Sequence, residues 1–343
     1  MGMIDLRYRF CIQYRVTEVL QELGERRNQG KSTRLLIEFI SKSAARSFYS
    51  RLQEKELNFP LFELTGDDSN ILRKEVLQRL GKDEGENFFL PDAIVVATQV
   101  IEAGVDIDMD IGFKDISILD SEEQFLGRIN RSCLRDDCHV YFFNMVKATM
   151  IYRNDQRTAF DLQAELCQQM LEEKDFGSFY QLVIDRVNGE RQKATLKNWS
   201  YFTASVQQLQ FREVEKAMQL ITEKHYTLFI AHQLMYKNAD GIDEHLDGAQ
   251  VWEEFNGLLA DKKMEYSQRM VKLSQLKEKM AYFTFNFGNQ QDSRQIPPHS
   301  YTEIVGNLYY IPSGERFMEF DKTTGAKKFN RQAYVGEGVS MFL

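Results

Sequence analysis

Over the first 150 residues, short apolar runs alternate with longer stretches of helical periodicity. That alternation is the pattern of an α/β layer architecture, in which strands buried on both faces are separated by amphipathic helices. Residues 16–25 read as helical, 34–40 (RLLIEFI) as a strand, and 43–55 as an amphipathic helix. Residues 62–64 read as a short strand, 70–80 as a helix, and 93–97 (AIVVA) as a buried strand bounded by Pro91. Residues 116–119 and 140–143 give two further strands. Between them, Ser121-Glu122-Glu123-Gln124 has the S-x-x-Q spacing of a capping box, and a helix is expected to run from it through Arg131.

The alternation stops near Met150. From residue 152 to about 285, apolar positions fall three or four apart, which predicts a mainly helical region. Ile296-Pro297-Pro298 marks a break, and the Gly-containing turns of 301–343 predict short strands in a small terminal β or α/β element. The expected organisation is therefore an α/β domain over 1–150, a helical region over 151–290 and a small C-terminal element over 291–343.

Composition narrows the function classes. The 343 residues carry 43 Lys and Arg against 51 Asp and Glu, a formal charge of −8, which argues against coating nucleic acid by bulk positive charge. Twelve of the acids and a single base, Lys114, fall within residues 83–123, so the acidic balance is local. No apolar run is long enough to span a membrane and no signal-peptide succession opens the chain, so a cytoplasmic protein is expected. The four cysteines form neither a disulfide framework nor paired zinc knuckles; a strand starting at His139 explains the Cys133–Cys138–His139 stretch without a metal.

Two segments carry candidate chemistry. In the first, Thr98 to Asp110 (TQVIEAGVDIDMD), a buried strand ends in a polar loop. Thr98 can donate to a phosphate oxygen, Gly104 lets backbone approach a ligand, and Asp106 can accept from a sugar hydroxyl. The plain reading is a strand, a turn and solvent-facing acids. In the second, Gln124-Phe125-Leu126-Gly127-Arg128-Ile129-Asn130-Arg131, a continuing helix would place Gln124, Arg128 and Arg131 on one face. Two guanidiniums there suit a terminal phosphate, and a glycine inside a helix, at about 1 kcal/mol, asks for a reason. Ordinary surface arginines are the plain alternative.

In this order and spacing, the two segments resemble motifs V and VI of superfamily 2 helicases. The TQ-x-x-E start and D-x-D-x-D finish of 98–110 are similar to motif V of the CRISPR-associated helicase-nuclease of type I systems, and residues 34–51 resemble its motif IV region. The resemblance implies a second RecA-like lobe, closing over ATP and Mg²⁺ held mainly by a first lobe. It further implies that Gln124 and Arg128 approach the nucleotide, and that Arg131 is the candidate arginine finger. Asp106 would contact ribose or couple the lobes, Thr98 would touch single-stranded DNA, and Gly104 and Gly127 would give clearance. The implied partners are single-stranded DNA, the first helicase lobe and nuclease domain, and a CRISPR surveillance complex.

Walker A, Walker B and a histidine-aspartate nuclease constellation are not found in this sequence. GERRNQGKS (residues 24–32) imitates Walker A with one residue too many between its glycines, and with a helix expected before it and a strand after. DEHL (243–246) superficially resembles a DExH box but falls after motif VI. His225 and His232 sit seven apart on a helical pattern and read as packing or surface residues. The lysines and Arg269 of 262–279 could track phosphates or form a solvated helix face, and Tyr282, Phe283, Phe285 and Phe287 could stack on bases or pack a core. The chain thus reads as a C-terminal fragment, or a separately encoded half, of a helicase, inactive without the first lobe. A lobe of another superfamily 2 helicase or restriction translocase, and a non-catalytic binding or assembly module, remain as alternatives.

Overall fold

The computed structural model describes residues 5–8, 16–31, 33–55, 57, 59–66, 68, 70–83, 87–102, 104–152, 155–218, 225–237, 243–288, 304–305, 308–321, 323, 325 and 327–334. The chain forms two compact units, one of residues 1–64 and 90–222, the other of 65–89 and 223–343. Residues 65–89, expected inside the α/β domain, thus belong to the second unit.

Along the first 150 residues run β1 (Asp5–Tyr8), α1 (Val16–Asn28), β2 (Arg34–Glu38), α2 (Lys42–Gln53), β3 (Leu61–Leu64), α3 (Asn70–Leu80), β4 (Ala93–Ala97), β5 (Ile111–Asp115), α4 (Leu119–Leu126) and β6 (His139–Phe143). The six strands make one sheet in the order β1-β6-β5-β2-β4-β3, every neighbouring pair parallel. Strands β2 to β6 are buried at every position, as an all-parallel sheet covered on both faces requires.

Side chains alternate between the faces. Leu35, Ile37, Ile94, Val96, Ile111, Phe113, Tyr141 and Phe143 form one core with Val19 and Leu23 of α1 and Ala45, Phe48 and Leu52 of α2. Each fully buried Leu or Phe contributes about 1.5–3 kcal/mol. The other face carries Gly112, and α4 lies directly on it: a Cβ added there would come within 2.6 Å of the Phe125 ring and 3.1 Å of Ile129. After β6 follow α5 (Ala148–Ile151), α6 (Glu165–Glu173), α7 (Phe176–Gln207) and α8 (Phe211–Met218), which supply the expected helical region.

In the second unit, β7 (His225–Ile230), β8 (Gln233–Lys237) and β9 (Asp243–Asp247) precede α9 (Gly248–Ala260), α10 (Tyr266–Met280) and β10 (Thr284–Gly288), with β11 (Ile304–Val305), β12 (Leu308–Ile311), β13 (Met318–Phe320) and β14 (Lys327–Phe329) after them. The larger sheet runs β10-β7-β12-β11; β8–β9 and β13–β14 are antiparallel pairs. Phe229, Trp252, Phe255, Leu273, Leu276, Met280 and Phe283 form its main core.

Several sequence expectations change. The strand placed at 116–119 is β5 at Ile111–Asp115; Lys114 and Asp115 are buried there, which hid the strand from a hydrophobic pattern. Residues 225–230, 233–237 and 243–247 are strand, not helix, so His225 and His232 share no helix, and the terminal β element reaches back to β7 and β10. Phe283 and Phe285 are core residues, with His232 edge-on to the Phe283 ring. The Walker A imitation is a helix ending at Asn28 followed by a turn with Gly30 at φ +68°, as its inverted context implied. His139 opens β6, as expected.

Candidate functional site

The loop 98–110 leaves β4 and enters β5, two strands that both pair in parallel with β2. Such a crossover is usually a helix. Here its described residues contain only a 3₁₀ turn, Gln99–Ile101, so side chains hold it in place. Thr98 heads the turn, buried, with its backbone N–H on the Leu64 carbonyl at 3.0 Å. Gln99 Nε2 donates to the Ile40 carbonyl at 3.2 Å and to the Tyr152 hydroxyl at 3.1 Å. Gly104 is exposed at φ +70°, with nothing within 4 Å of a built Cβ, so its requirement is conformational.

The segment 124–131 is not one continuous helix. The helix ends at Leu126 with Gly127 as its C-cap. The following residues lie beside the end of the 98–110 loop, joined by the bonds from Met109 N–H to the Arg128 carbonyl (2.9 Å) and from Asn130 N–H to the Met109 carbonyl (2.8 Å). Gln124, Arg128 and Arg131 therefore share no helix face. The capping box is also absent: Ile118 is the N-cap, and the Ser121 hydroxyl donates to Glu102 instead. Glu122 rather than Gln124 reaches back, accepting from the Ser117 backbone N–H at 2.6 Å.

Arg128 grips the loop. Its Nε donates to the Ile101 carbonyl at 3.0 Å and its Nη2 to the Glu102 carbonyl at 2.6 Å, one planar fork on two successive peptides. Burial, and then the neighbouring Arg131, lower its pKa below the usual arginine value. Arg131 is arranged differently. Its Nε lies 3.0 Å from Asp106 Oδ1, with the two side chains 45% and 85% exposed. Its backbone N–H is fixed by Asp108 Oδ1 at 2.9 Å. Gln124 is exposed.

Below this seam lies a network that was not anticipated. Arg135 forks onto Asp108 and Asp110, and Asp110 Oδ2 accepts the Arg34 backbone N–H at 2.7 Å. The buried Arg34 guanidinium donates from Nε to the Asp108 carbonyl at 2.9 Å and from Nη1 to the Leu90 carbonyl at 2.7 Å; burial lowers its pKa to about 10. Burial raises Asp110 above the usual carboxylate value. Asn130 supports Arg135 from a left-handed backbone at φ 47°, its amide donating to the Arg135 carbonyl at 2.7 Å.

A second unanticipated group lies on the α4 side of the sheet. Lys114, on β5 and fully buried, places Nζ 2.5 Å from Glu38 Oε1, 3.5 Å from Glu102 Oε1 and 3.9 Å from Glu122 Oε2. It also reaches Ser121 Oγ at 3.0 Å and Ser117 Oγ at 3.3 Å. Burial pushes Glu122 up to about 7 and Glu38 well above the carboxylate range. The attraction of the glutamates outweighs burial at Lys114 and holds its pKa above the usual lysine value.

The fold thus joins Asp106 to Arg131 and Arg128 to the motif V backbone, leaves Gln124 open, and buries Thr98. Arg34, Arg135, Lys114 and Glu102 were missed. The alternating acids of 106–110 and the lone base among twelve acids in 83–123 were the available signals. Among the described residues, no group of three or more His, Cys, Asp or Glu is arranged to hold a metal ion.

Residues 40–133 match the family described as CRISPR-associated nuclease/helicase Cas3, C-terminal. The chain is 31% identical over 115 residues to the CRISPR-associated nuclease/helicase Cas3 of Methanothermobacter thermautotrophicus, an overlap of 34% of this chain and 13% of that protein. Among solved structures, T. fusca Cas3 shares 14% identity at a TM-score of 0.52, over 94% of this chain and 40% of that one. A structure described as a CRISPR RNA-guided surveillance complex, pre-nicking, shares 15% identity at a TM-score of 0.51, over 95% and 42%. The chain therefore spans less than half the length of these relatives. It is similar in fold to the C-terminal helicase part of Cas3, with an α/β, RecA-like sheet, and the matched 40–133 contain both motifs from which the resemblance was read.

Proposed function

We propose that this chain supplies the second RecA-like lobe and the C-terminal part of an ATP-dependent DNA helicase acting in CRISPR interference. A first lobe would hold most of the ATP and its Mg²⁺. The observation that carries this reading is the seam between the motifs: Arg128 fastens the motif V turn by two carbonyls while Arg131 stands at the surface against exposed Asp106. A half-buried fork positions and an exposed guanidinium receives.

The residues fit one flank of a nucleotide. Arg131 and Gln124 are open to solvent, and the present partner of Arg131 is a surface carboxylate in an ion pair of a kind that contributes only about 0–1 kcal/mol. An anionic phosphate can compete for that guanidinium at little cost. Bound ATP with Mg²⁺ supplies the transferable phosphoryl group. This chain's part is charge stabilisation by Arg131, contact from Gln124, acceptance of a ribose hydroxyl by Asp106, and a motif V loop shaped by Arg128 and Gly104. In this reading the loop, beginning at Thr98, faces single-stranded DNA. The nuclease domain and a CRISPR surveillance complex are the further partners, and the cytoplasm the compartment. Among the described residues no helix is long and apolar enough to cross a membrane.

The test is ATP hydrolysis by this chain joined to, or mixed with, its first lobe in the presence of Mg²⁺ and single-stranded DNA. DNA-stimulated turnover is expected, falling by about 10³-fold or more in Arg131→Ala while ATP binding is largely kept. Turnover by this chain alone, or full activity of Arg131→Ala, overturns the reading.

A further inference from the structure

The Lys114 group lies outside the nucleotide flank just described, yet one of its members belongs to motif V. Of the three glutamates around Lys114, Glu38 ends β2 and Glu122 sits in α4, both on regular elements. Glu102 alone sits on the loop, at the end of the 3₁₀ turn. Its carboxylate accepts from Lys114 at 3.5 Å and from the Ser121 hydroxyl. Its own carbonyl, together with that of Ile101, is what Arg128 holds. The turn is thus pinned from two sides, by a lysine beneath and an arginine beside it.

We infer that Lys114 is a positioning residue for motif V, holding Glu102 from below so that the Ile101 and Glu102 carbonyls are presented to Arg128. A fully buried ammonium amid three carboxylates is weak evidence for stability, because a well-packed apolar group often serves as well. What an apolar group cannot do is fix the place of a loop carboxylate. Among its described residues the loop has no longer element of its own to do so, and Gly104 follows two residues later in a left-handed conformation. The consequence for hydrolysis rests on the helicase-lobe reading above; the positioning itself does not.

Amide hydrogen exchange on the full chain separates the two. Glu102→Ala is expected to speed exchange at residues 99–102 about tenfold or more, with β4 and β5 unchanged, while Glu102→Gln, which keeps the acceptor, stays close to the parent. Lys114→Met should reproduce Glu102→Ala; if it does not fold, Ser121→Ala, which removes the other hydrogen bond to Glu102, takes its place. Unchanged exchange at 99–102, or equal acceleration in β4 and β5, overturns the inference. In the enzyme completed by its first lobe, Glu102→Ala and Arg128→Ala should lower kcat to a similar degree and not additively. Additive losses speak against a shared route. If the complete parent enzyme does not hydrolyse ATP, the helicase reading fails while the exchange result still decides the role of Lys114.

Discussion

Arg131 pairs with Asp106 at 3.0 Å through exposed side chains, while Asp108, two residues on, fixes its backbone N–H. The two aspartates should therefore behave differently. Asp106→Asn removes an exposed ion pair and is expected to change stability by less than about 1 kcal/mol, with the difference fading in high salt. Asp108→Ala also removes a partner of Arg135 and should cost more, about 3 kcal/mol, as for breaking a largely buried pair. Urea denaturation at low and high ionic strength measures both.

Arg128 tests shape against charge. Lysine keeps the positive charge but cannot place two donors in one plane on successive carbonyls. If the fork matters, Arg128→Lys loses nearly as much activity as Arg128→Ala in the complete enzyme, on the order of 10–10²-fold, the scale of misplaced catalytic groups. Activity close to the parent would mean that charge near the phosphate is its contribution. Steady-state kcat and KM for ATP decide between them.

The buried acids set a pH dependence. Glu122 titrates near 4.5 when unfolded and is raised to about 7 by burial; Asp115 moves from 3.8 to about 6 for the same reason. Between those values the folded chain retains protons that the unfolded chain has released. Stability should therefore fall as pH rises from about 4 to 7, and the Glu122 part is on the order of 3 kcal/mol. Asp137 and Asp155, lowered chiefly by hydrogen bonds from Lys31 and Arg157, act oppositely below their unfolded value of 3.8. Glu122→Gln should flatten the slope above pH 4.5 and leave the variant at least as stable as the parent at pH 8. Chemical denaturation at pH 5 and pH 8, followed by circular dichroism, checks it.

The segments 98–110 and 124–131 stand out in the sequence because each is a contiguous run whose polar residue types sit at a loop or helix end. The polar interior does not. Lys114 and Asp115 break the apolar run of β5 at two fully buried positions, so the pattern shifted the strand to 116–119. Their burial depends on Glu38, Glu102 and the Met145 N–H, which are remote in sequence. Leu126, Ile129 and their neighbours keep helical spacing, which predicts a helix as far as Arg131. Tertiary bonds from Met109 end it instead. The strands β8 and β9 are obscured similarly: in their antiparallel pair the buried Leu234 and Leu246 give an alternation too brief to outweigh the surrounding helical periodicity.

Two glycines in the same region make opposite predictions. Gly127 has an ordinary right-handed backbone at φ −64°, and a built Cβ would lie 3.4 Å from the Gln124 carbonyl, an ordinary contact. The clearance expected there from the helicase resemblance has no steric basis within the chain itself. Gly127→Ala should be neutral or stabilise by about 0.4–1 kcal/mol through the unfolded state. Gly112 is the glycine that packing requires. A Cβ there would enter the Phe125 ring at 2.6 Å and press on Ile129 at 3.1 Å, so the fully buried Phe125 ring on α4 must shift to admit it. Gly112→Ala is expected to cost about 1–3 kcal/mol by overpacking. Because α4 carries Ser121 and Glu122 and leads directly into Arg128, the same shift should loosen the motif V turn. Thermal denaturation of the two variants, with hydrogen exchange at residues 99–102, should show destabilisation and faster exchange for Gly112→Ala alone. Equal behaviour of the two would remove the close packing of α4 on β5 as the reason for glycine at 112.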